Sequence, residues 1–247
     1  MQFIKSNSSA NNALYVEAKG LELLRATIQR AGIDELNVPL VYEVNAKQLS
    51  LQYLSAESPE KQQWQTLGCG LAKLHAVKNA YFGLSYDNFI GLSPQANSVA
   101  QNWPNFFIDN RLLQQVSWIK NQAFALEAKQ SIVSNRRALE DLLQCSEPSL
   151  VHGDLWSGNV MFAEGKVWLI DPAVYYGDPE VDIAMTEMFG GFAPEFYASY
   201  QEVRALSESY QTKKHVYNVY HYLNHYNLFG DSYLADCLRL LERLKAL

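Results

Sequence analysis

The sequence predicts an α+β protein with two lobes, a small strand-rich lobe over residues 1–55 and a larger, mainly helical lobe over residues 56–247. Two observations predict this class. Short apolar segments typical of strands are concentrated at the beginning of the chain, and apolar residues at helical spacing dominate the remainder. An apolar content of 48% in 247 residues is sufficient for a packed core.

In the small lobe, residues 1–7 are predicted to form a strand, and residues 39–54 two strands around a polar turn. The helix between them has an apolar stripe that keeps its spacing only if Glu17 lies on the same face. A buried carboxylate is costly without a cation, so we expect an ion pair with Lys5 on the preceding strand. In the alternative, Glu17 lies at the edge of the helix and reaches water.

The large lobe begins with a helix that is predicted to have Pro59 at its first position and to end near Asn79. Residues 80–105, rich in Gly, Asn, Ser and Pro, indicate a long ordered surface loop. Further helices are predicted at about 105–121, 124–144, 194–206, 209–228 and 231–246.

Composition excludes several classes of protein. The net charge is −6 and no run of Lys and Arg could follow a phosphate backbone, so we expect no nucleic acid partner. The apolar runs are too short to cross a bilayer, and the first residues lack a secretory signal, so we expect no membrane association and a cytoplasmic location. Cys69, Cys145 and Cys237 form no CxxC pair and are predicted to be reduced, buried thiols.

The segment LVHGDLWSGN, residues 150–159, leads from an apolar strand into a polar loop. It is followed by VMFAEGKVWLID, which predicts a hairpin with Gly165 near its tip. Asn159 and Asp171 lie six residues before and after that glycine, so the hairpin should bring their side chains together. An amide oxygen and a carboxylate are hard ligands suited to Mg²⁺, and we therefore expect a magnesium site here.

Asp154 lies in the same loop and could accept the proton of an attacking hydroxyl. His152, Asp154, Asn159 and the later Asp171 together match the pattern of a kinase catalytic loop. The alternative is a polar turn in which the aspartate caps a helix. In a kinase, Lys5 would orient the nucleotide phosphates and Glu17 would hold that lysine.

The sequence resembles the fructosamine kinases, also called ketosamine 3-kinases. The resemblance rests on LVHGDLWSGN, IDPAVYYGDPEVDIAMTEMFGGF, FIGLSPQANSVAQNWPNFFIDNRL and YHYLNHYNLFG. It implies a two-lobed, protein-kinase-like fold, similar to that of aminoglycoside phosphotransferases. It also implies transfer of phosphate from ATP, with Mg²⁺, to the 3-hydroxyl of ketosamines such as fructosamines and ribulosamines, and hence a role in protein deglycation.

The resemblance also implies roles for individual residues. Asp154 would be the catalytic base, with Asn159 and Asp171 as magnesium ligands and Lys5 paired with Glu17 at the phosphates. The remaining implied positions are the adenine contacts Tyr53 and Leu54 and the candidate substrate residues Trp156, Tyr175 and Tyr176. For each of these three aromatic residues, a purely structural packing role is the alternative. We expect His152 and Asp182 to brace the catalytic loop rather than to react.

The N-terminus departs from the family pattern, in which a glycine-rich hairpin precedes the lysine strand. Here Lys5 lies four residues from the first residue, and the small lobe is expected to be reduced at its N-terminus. The alternative is a truncated or misassigned reading frame. In a truly reduced lobe, a second subunit in a homo-oligomer could cover the bare sheet edge. Two other functions stay open: a kinase for another small substrate, of the aminoglycoside or choline kinase type, and a pseudokinase-like binding module.

Overall fold

The computed structural model describes residues 1–7, 11–144 and 146–247. The predicted small lobe contains β1 (Gln2–Ser6), α1 (Ala13–Arg30), β2 (Leu36–Asn37), β3 (Val41–Val44) and β4 (Gln48–Gln52). Strands β1, β4 and β3 form an antiparallel sheet in that order, with Lys5 opposite Leu49. Asn45 closes the β3–β4 turn by accepting hydrogen bonds from the backbone of Lys47 and Gln48.

The connection over residues 53–60 has no regular secondary structure and leads into α2 (Lys61–His75). This helix begins two residues after Pro59, the predicted first position. Glu60 is the N-cap and forms a capping box with Gln63, whose Oε1 accepts from the backbone N–H of Glu60 at 2.8 Å. The predicted lobe boundary at residue 55 falls within this connection and stays a prediction.

The prediction of a loop over residues 80–105 is wrong in part. The segment contains a hairpin of β5 (Asn88–Ile90) and β6 (Ser93–Gln95), and α3 (Trp103–Phe107) begins before the segment ends. Neither strand has the alternation of apolar and polar residues that identifies a strand in sequence. The hairpin is held instead by buried side-chain amides that bond to a distant part of the chain.

The rest of the large lobe is mainly helical, with short strands around the polar loop. In chain order its elements are a π-helical turn (Ile108–Leu113), α4 (Gln114–Ser117), α5 (Gln122–Ser134), α6 (Arg136–Leu143), β7 (Ser149–Val151), β8 (Val160–Ala163), β9 (Lys166–Leu169), β10 (Tyr175–Gly177), α7 (Glu180–Thr186), α8 (Pro194–Val203), α9 (Tyr210–Phe229) and α10 (Leu234–Leu244). Strand β10 pairs with β7, and β9 lies between β8 and β2.

A connected hydrophobic core joins the two predicted lobes. It includes Leu21 and Leu24 of α1, Leu71 of α2 and Phe106 of α3, all almost completely buried. Cys69 is half-buried and Cys237 is buried, and both are free thiols, whereas Cys145 lies outside the described residues. Among the described helices, none combines the length and the apolar character that crossing a membrane requires.

Candidate active site

The polar residues that the sequence singled out meet in one cleft between α1, the β5–β6 hairpin and the loop after β7. A cavity of about 260 Å³ occupies this cleft, and its lining includes Lys5, Glu17, Asp154, Asn159 and Asp171. Five side chains separated by up to 166 residues in sequence therefore face one space. We refer to it as the polar cavity.

The β8–β9 hairpin brings the two predicted metal ligands together. Its two-residue turn, Glu164–Gly165, has positive φ at both positions, 55° and 69°, the geometry that suits the twist of paired strands. The strands pair from Ala163 and Lys166 outward to Val160 and Leu169. At the open end, Nδ2 of Asn159 lies 3.5 Å from the backbone oxygen of Asp171. The predicted convergence of these two residues is confirmed.

Lys5 lies at the centre of the charges in the polar cavity. Its Nζ is 2.8 Å from Oε2 of Glu17 and 2.9 Å from Oδ1 of Asp171, so the ion pair predicted from the helix pattern is present. Burial lowers the pKa of Lys5, but the two carboxylates outweigh it and the pKa is raised overall. Lys5 is therefore a cation at neutral pH. Its position on β1 and its ion pair with Glu17 on α1 hold it beside Asp171.

Asp154 combines burial with a neighbour that orients it. Burial raises the pKa of this carboxyl to about 7, although the hydrogen bond from Asn159 favours the ionised form. Nδ2 of Asn159 donates to both the backbone oxygen and Oδ2 of Asp154, at 2.7 and 3.0 Å. A carboxyl that titrates near neutral pH and is fixed in direction is suited to accept a proton from a hydroxyl group.

The loop that carries Asp154 is braced from beneath by buried groups. Asp182 accepts hydrogen bonds from the backbone N–H groups of His152 and Gly153, at 2.7 and 2.9 Å. Nε2 of His152 donates to the backbone oxygen of Ile170, and Nδ1 accepts from the backbone N–H of Asp154. Burial lowers the pKa of His152, which is consistent with a neutral ring. The predicted bracing by His152 and Asp182 is confirmed.

His75 extends this brace, and sequence reasoning missed it. Its Nε2 lies 3.2 Å from Oδ2 of Asp182, and its Nδ1 lies 2.9 Å from the hydroxyl of Tyr200. Both partners lie more than 100 residues away in sequence, so no local signal could identify this histidine.

A second cavity, of about 390 Å³, shares Asp154, Trp156 and Gly91 with the polar cavity. Its walls are mostly aromatic or apolar, with one amide, and comprise Ile90, Gly91, Met185, Phe189, Asn224, His225, Leu228, Phe229 and Tyr233. Trp156 is 39% exposed and lies across Gly158, where an added Cβ would come within 2.3 Å of the indole. We refer to this space as the aromatic cavity. Asp154 therefore lines both the polar and the aromatic cavity.

Similarity to known proteins agrees with this geometry. The sequence model of the fructosamine kinase family matches residues 1–246. The chain belongs to the fructosamine kinase family.

Individual relatives of this family have names of the same kind. The "Probable ketoamine kinase" of Synechocystis sp. is 38% identical over 246 residues, which cover 98% of this chain and 82% of that protein. The "Protein-ribulosamine 3-kinase, chloroplastic" of Oryza sativa subsp. indica is 32% identical over 251 residues, covering 97% and 71%.

Solved structures extend the similarity to three dimensions. A candidate fructosamine-3-kinase from Haemophilus somnus 129PT superimposes with a TM-score of 0.84 at 27% identity, over 98% of this chain and 82% of the other. The streptomycin–ATP complex of an aminoglycoside phosphotransferase superimposes with a TM-score of 0.56 at 15% identity, over 98% and 84%. The second match concerns the fold alone, and it agrees with the predicted kinase-like α+β class.

Tyr175 and Tyr176, two of the implied substrate residues, line neither the polar nor the aromatic cavity. Tyr175 is 2% exposed and stacks between Arg111 and Trp103, because β10 pairs with β7 inside the lobe. Tyr176 is half-buried against Tyr81. The expectation that Tyr175 lines the cleft is therefore corrected, because its ring is packed in the core. Tyr176 lines neither of the two cavities, and a substrate role for it stays a prediction.

The implied adenine residues lie in the connection between β4 and α2. Tyr53 is 44% exposed, whereas Leu54 is buried against Ala163 and Trp168 of the β8–β9 hairpin. Their proposed contacts with adenine involve backbone groups and stay a prediction.

The donor set of the polar cavity fits Mg²⁺. Asp171 offers a carboxylate whose side chain is 45% exposed, and its φ of 50° is a conformation that non-glycine residues rarely adopt. The amide nitrogen of Asn159 is used by Asp154, so its oxygen is the atom available to a cation. Two oxygen donors suit an ion that keeps several ligand positions for water and phosphate.

Proposed function

We propose that this chain is an ATP-dependent ketosamine 3-kinase, which transfers a phosphoryl group to the 3-hydroxyl of fructosamine or ribulosamine compounds. The observation that carries the proposal is the position of Asp154, a buried carboxylate that lines both a polar cavity suited to phosphates and an aromatic cavity suited to an organic acceptor. Membership of the fructosamine kinase family supports the acceptor class.

In the proposed reaction, the carboxylate of Asp154 accepts the proton of the acceptor hydroxyl. The hydroxyl oxygen forms a bond to the terminal phosphorus of ATP as the bond from that phosphorus to the bridging oxygen breaks, and ADP leaves. Asn159 holds Asp154 in one orientation through the 3.0 Å hydrogen bond to Oδ2. Because little covalent chemistry is required of the protein, positioning provides much of the rate enhancement.

In the polar cavity, Lys5 and a metal ion would bind the nucleotide phosphates. Lys5 is free to exchange its contact with Asp171 for phosphate oxygens while Glu17 keeps it in place. Mg²⁺, held by Asn159 and Asp171, would neutralise negative charge on the phosphates. Asp171 would thus be released from Lys5 when the nucleotide and the metal bind.

The aromatic cavity would bind the sugar and its amine substituent. Sugar rings present C–H faces that pack on aromatic side chains, and Trp156 offers such a face next to Asp154. A cationic amine is also attracted to aromatic faces, which Phe189, Phe229 and Tyr233 supply.

Phosphorylation at the 3-hydroxyl would make the adduct unstable, which supports a role in protein deglycation. The requirement for ATP favours a cytoplasmic location.

The proposal is tested by measuring phosphate transfer from MgATP to fructosyl-lysine and ribulosyl-lysine with wild type and Asp154→Asn. Removal of the base should lower turnover by about 100-fold or more. Asp141→Asn, which changes an exposed carboxylate on α6, is the matched control and should leave turnover unchanged.

Two outcomes would contradict the proposal. Equal turnover by wild type and Asp154→Asn would exclude Asp154 as the base. If the chain binds MgATP, as detected by an increase in its melting temperature, but transfers phosphate to neither ketosamine, the acceptor class is wrong.

A further inference from the structure

A chain of buried side-chain amides connects the β5–β6 hairpin to the segment after Asp171. Nε2 of Gln95 donates to the backbone oxygen of Ala173 at 3.0 Å, and Nδ2 of Asn88 donates to that of Val174 at 2.9 Å. Both side chains are almost completely buried, at 1% and 4% exposure. The backbone two and three residues after Asp171 is therefore held by side chains about 80 residues earlier in sequence.

The oxygen and the nitrogen of both amides form hydrogen bonds. Oδ1 of Asn88 accepts from Gln95 and from Asn97, both at 2.8 Å. Oε1 of Gln95 accepts from the hydroxyl of Tyr220 on α9, also at 2.8 Å. These bonds restrain the geometry, because displacement of either amide leaves buried donors and acceptors without a partner.

A buried cation completes the network. Arg111 has no exposed surface and donates through Nη2 to Oδ1 of Asn97 at 2.7 Å. Its guanidinium carbon lies 4.1 Å from the ring centre of Tyr175 and 4.7 Å from that of Phe106. The π-helical turn that carries Arg111 is a rare conformation that occurs frequently at functional sites.

The network supports a contact between two segments: the one after Asp171, the proposed metal ligand, and the loop that carries Asp154. The backbone N–H of Ala173 donates to the oxygen of His152 at 2.9 Å. The oxygen of Ala173 lies so close to Gly153 that an added Cβ would come within 2.1 Å of it. Gln95 therefore fixes a carbonyl group that determines the separation of the two loops.

The same hairpin separates the two cavities. Asn88 and Phe89 line the polar cavity, Ile90 lines the aromatic cavity, and Gly91 lines both. Tyr220, which bonds to Gln95, lies one helical turn before Asn224 in the aromatic cavity. The β5–β6 hairpin thus lines the polar cavity proposed for the nucleotide and the aromatic cavity proposed for the acceptor, and it bonds to the backbone after Asp171.

We propose that Gln95 and Asn88 are positioning residues that hold Asp171 and the catalytic loop at the separation required for phosphoryl transfer. The inference rests on the proposed function for its catalytic consequence. Its structural part, the restraint on residues 171–177, is independent of any reaction. The residues act through backbone carbonyl groups and not by contact with a reacting atom.

The test compares Gln95→Met with wild type. Methionine has nearly the same length but cannot donate to Ala173 or accept from Tyr220. We expect kcat to fall by about 10- to 100-fold, with less than about threefold change in KM for the ketosamine, because the loops become misplaced while the aromatic cavity is kept. In the free protein, hydrogen–deuterium exchange of backbone amides in residues 171–177 should become at least about tenfold faster.

The matched control is Ser131→Ala, which removes a buried hydrogen bond between Ser131 and the backbone of Leu241, far from both cavities. It should lower stability and leave kcat and the exchange of residues 171–177 unchanged. If Gln95→Met does not fold, Tyr220→Phe removes the hydrogen bond to Oε1 of Gln95, together with a contact to Gln115, and should show smaller changes in the same direction.

Three outcomes separate this inference from the proposed function. Faster exchange with an unchanged kcat would overturn the positioning role. Unchanged exchange of residues 171–177 in both Gln95→Met and Tyr220→Phe would overturn the restraint itself. If no ketosamine is phosphorylated by wild type, the exchange measurement still decides whether the restraint exists.

Discussion

At the scale of single residues, the candidate site keeps a carboxylate where burial destabilises its ionised form. Burial raises the pKa of Asp154 to about 7, well above the ordinary value for aspartate. The residue type and its spacing from Asn159 could be predicted from sequence, because both belong to one short loop. The shift in the pKa of Asp154 could not be predicted from sequence, because it depends on how much water the surrounding elements exclude.

This burial predicts how stability depends on pH. Because the pKa of Asp154 is higher in the folded than in the unfolded chain, its contribution is fully present below about pH 4 and is lost as the pH rises through about 7. Asp154→Asn cannot ionise and should therefore gain stability relative to wild type, by at least about 1 kcal/mol more at pH 8 than at pH 4.5.

The measurement is urea unfolding of both proteins at several pH values, in the presence of a metal chelator and without nucleotide. Curves of unfolding free energy that stay parallel between pH 4.5 and pH 8 would show that Asp154 does not titrate near neutral pH. A carboxylate that lowers stability but is needed for chemistry is a common trade-off at active sites.

At the scale of elements, the site depends on a hairpin and on one close contact between loops. The β8–β9 hairpin was predictable because its turn residues and strand pattern are local, and Asn159 and Asp171 follow from its register. The β5–β6 hairpin was not predictable, since Asn88 and Gln95 are fixed by the distant backbone of residues 173 and 174. Local patterns identify elements whose stabilising contacts are local.

The contact between loops predicts that Gly153 cannot be replaced. Gly153 has φ of 82°, and an added Cβ would come within 2.1 Å of the backbone oxygen of Ala173. Gly165 has a similar φ of 69°, with nothing within 4 Å of an added Cβ. Gly165→Ala should cost about 1–2 kcal/mol for the backbone conformation alone.

Gly153→Ala should cost at least about 2 kcal/mol more than Gly165→Ala, because the clash adds to the same backbone strain. It should also lower phosphate transfer, which Gly165→Ala should not. Chemical unfolding and the ketosamine assay measure the two effects. Equal losses of stability in the two variants would mean that the loops move apart without cost.

At the scale of the whole molecule, buried charges stabilise the large lobe away from the site. Lys213 of α9 lies 3.2 Å from both Asp178 and Glu180, and all three side chains are less than 10% exposed. Asp178 also accepts hydrogen bonds from Tyr217 and Ser146, each at 2.6 Å. This cluster ties α9 to the start of α7, which carries the loop-bracing Asp182.

Lys213→Met should therefore lower the free energy of unfolding by about 3–5 kcal/mol, because it leaves two buried carboxylates without their cation. Lys245→Met, which removes a cation from an exposed pair with Glu242, should cause no measurable change. Urea unfolding at pH 7 compares the two. A loss no larger than that of Lys245→Met would show that the buried cluster contributes nothing to stability.

The sequence by itself predicted an α+β protein, the polar loop with Asp154, the convergence of Asn159 with Asp171 and the pairing of Lys5 with Glu17, and the resemblance to the fructosamine kinases implied the kinase-like fold. The convergence and the pairing follow from spacing within one hairpin and one helix face. Only the tertiary structure decided that Tyr175 is internal, that Trp156 borders an aromatic cavity, and that Gln95 and His75 support the site. Those facts depend on contacts between residues far apart in the chain, and such contacts leave no periodic pattern in a sequence.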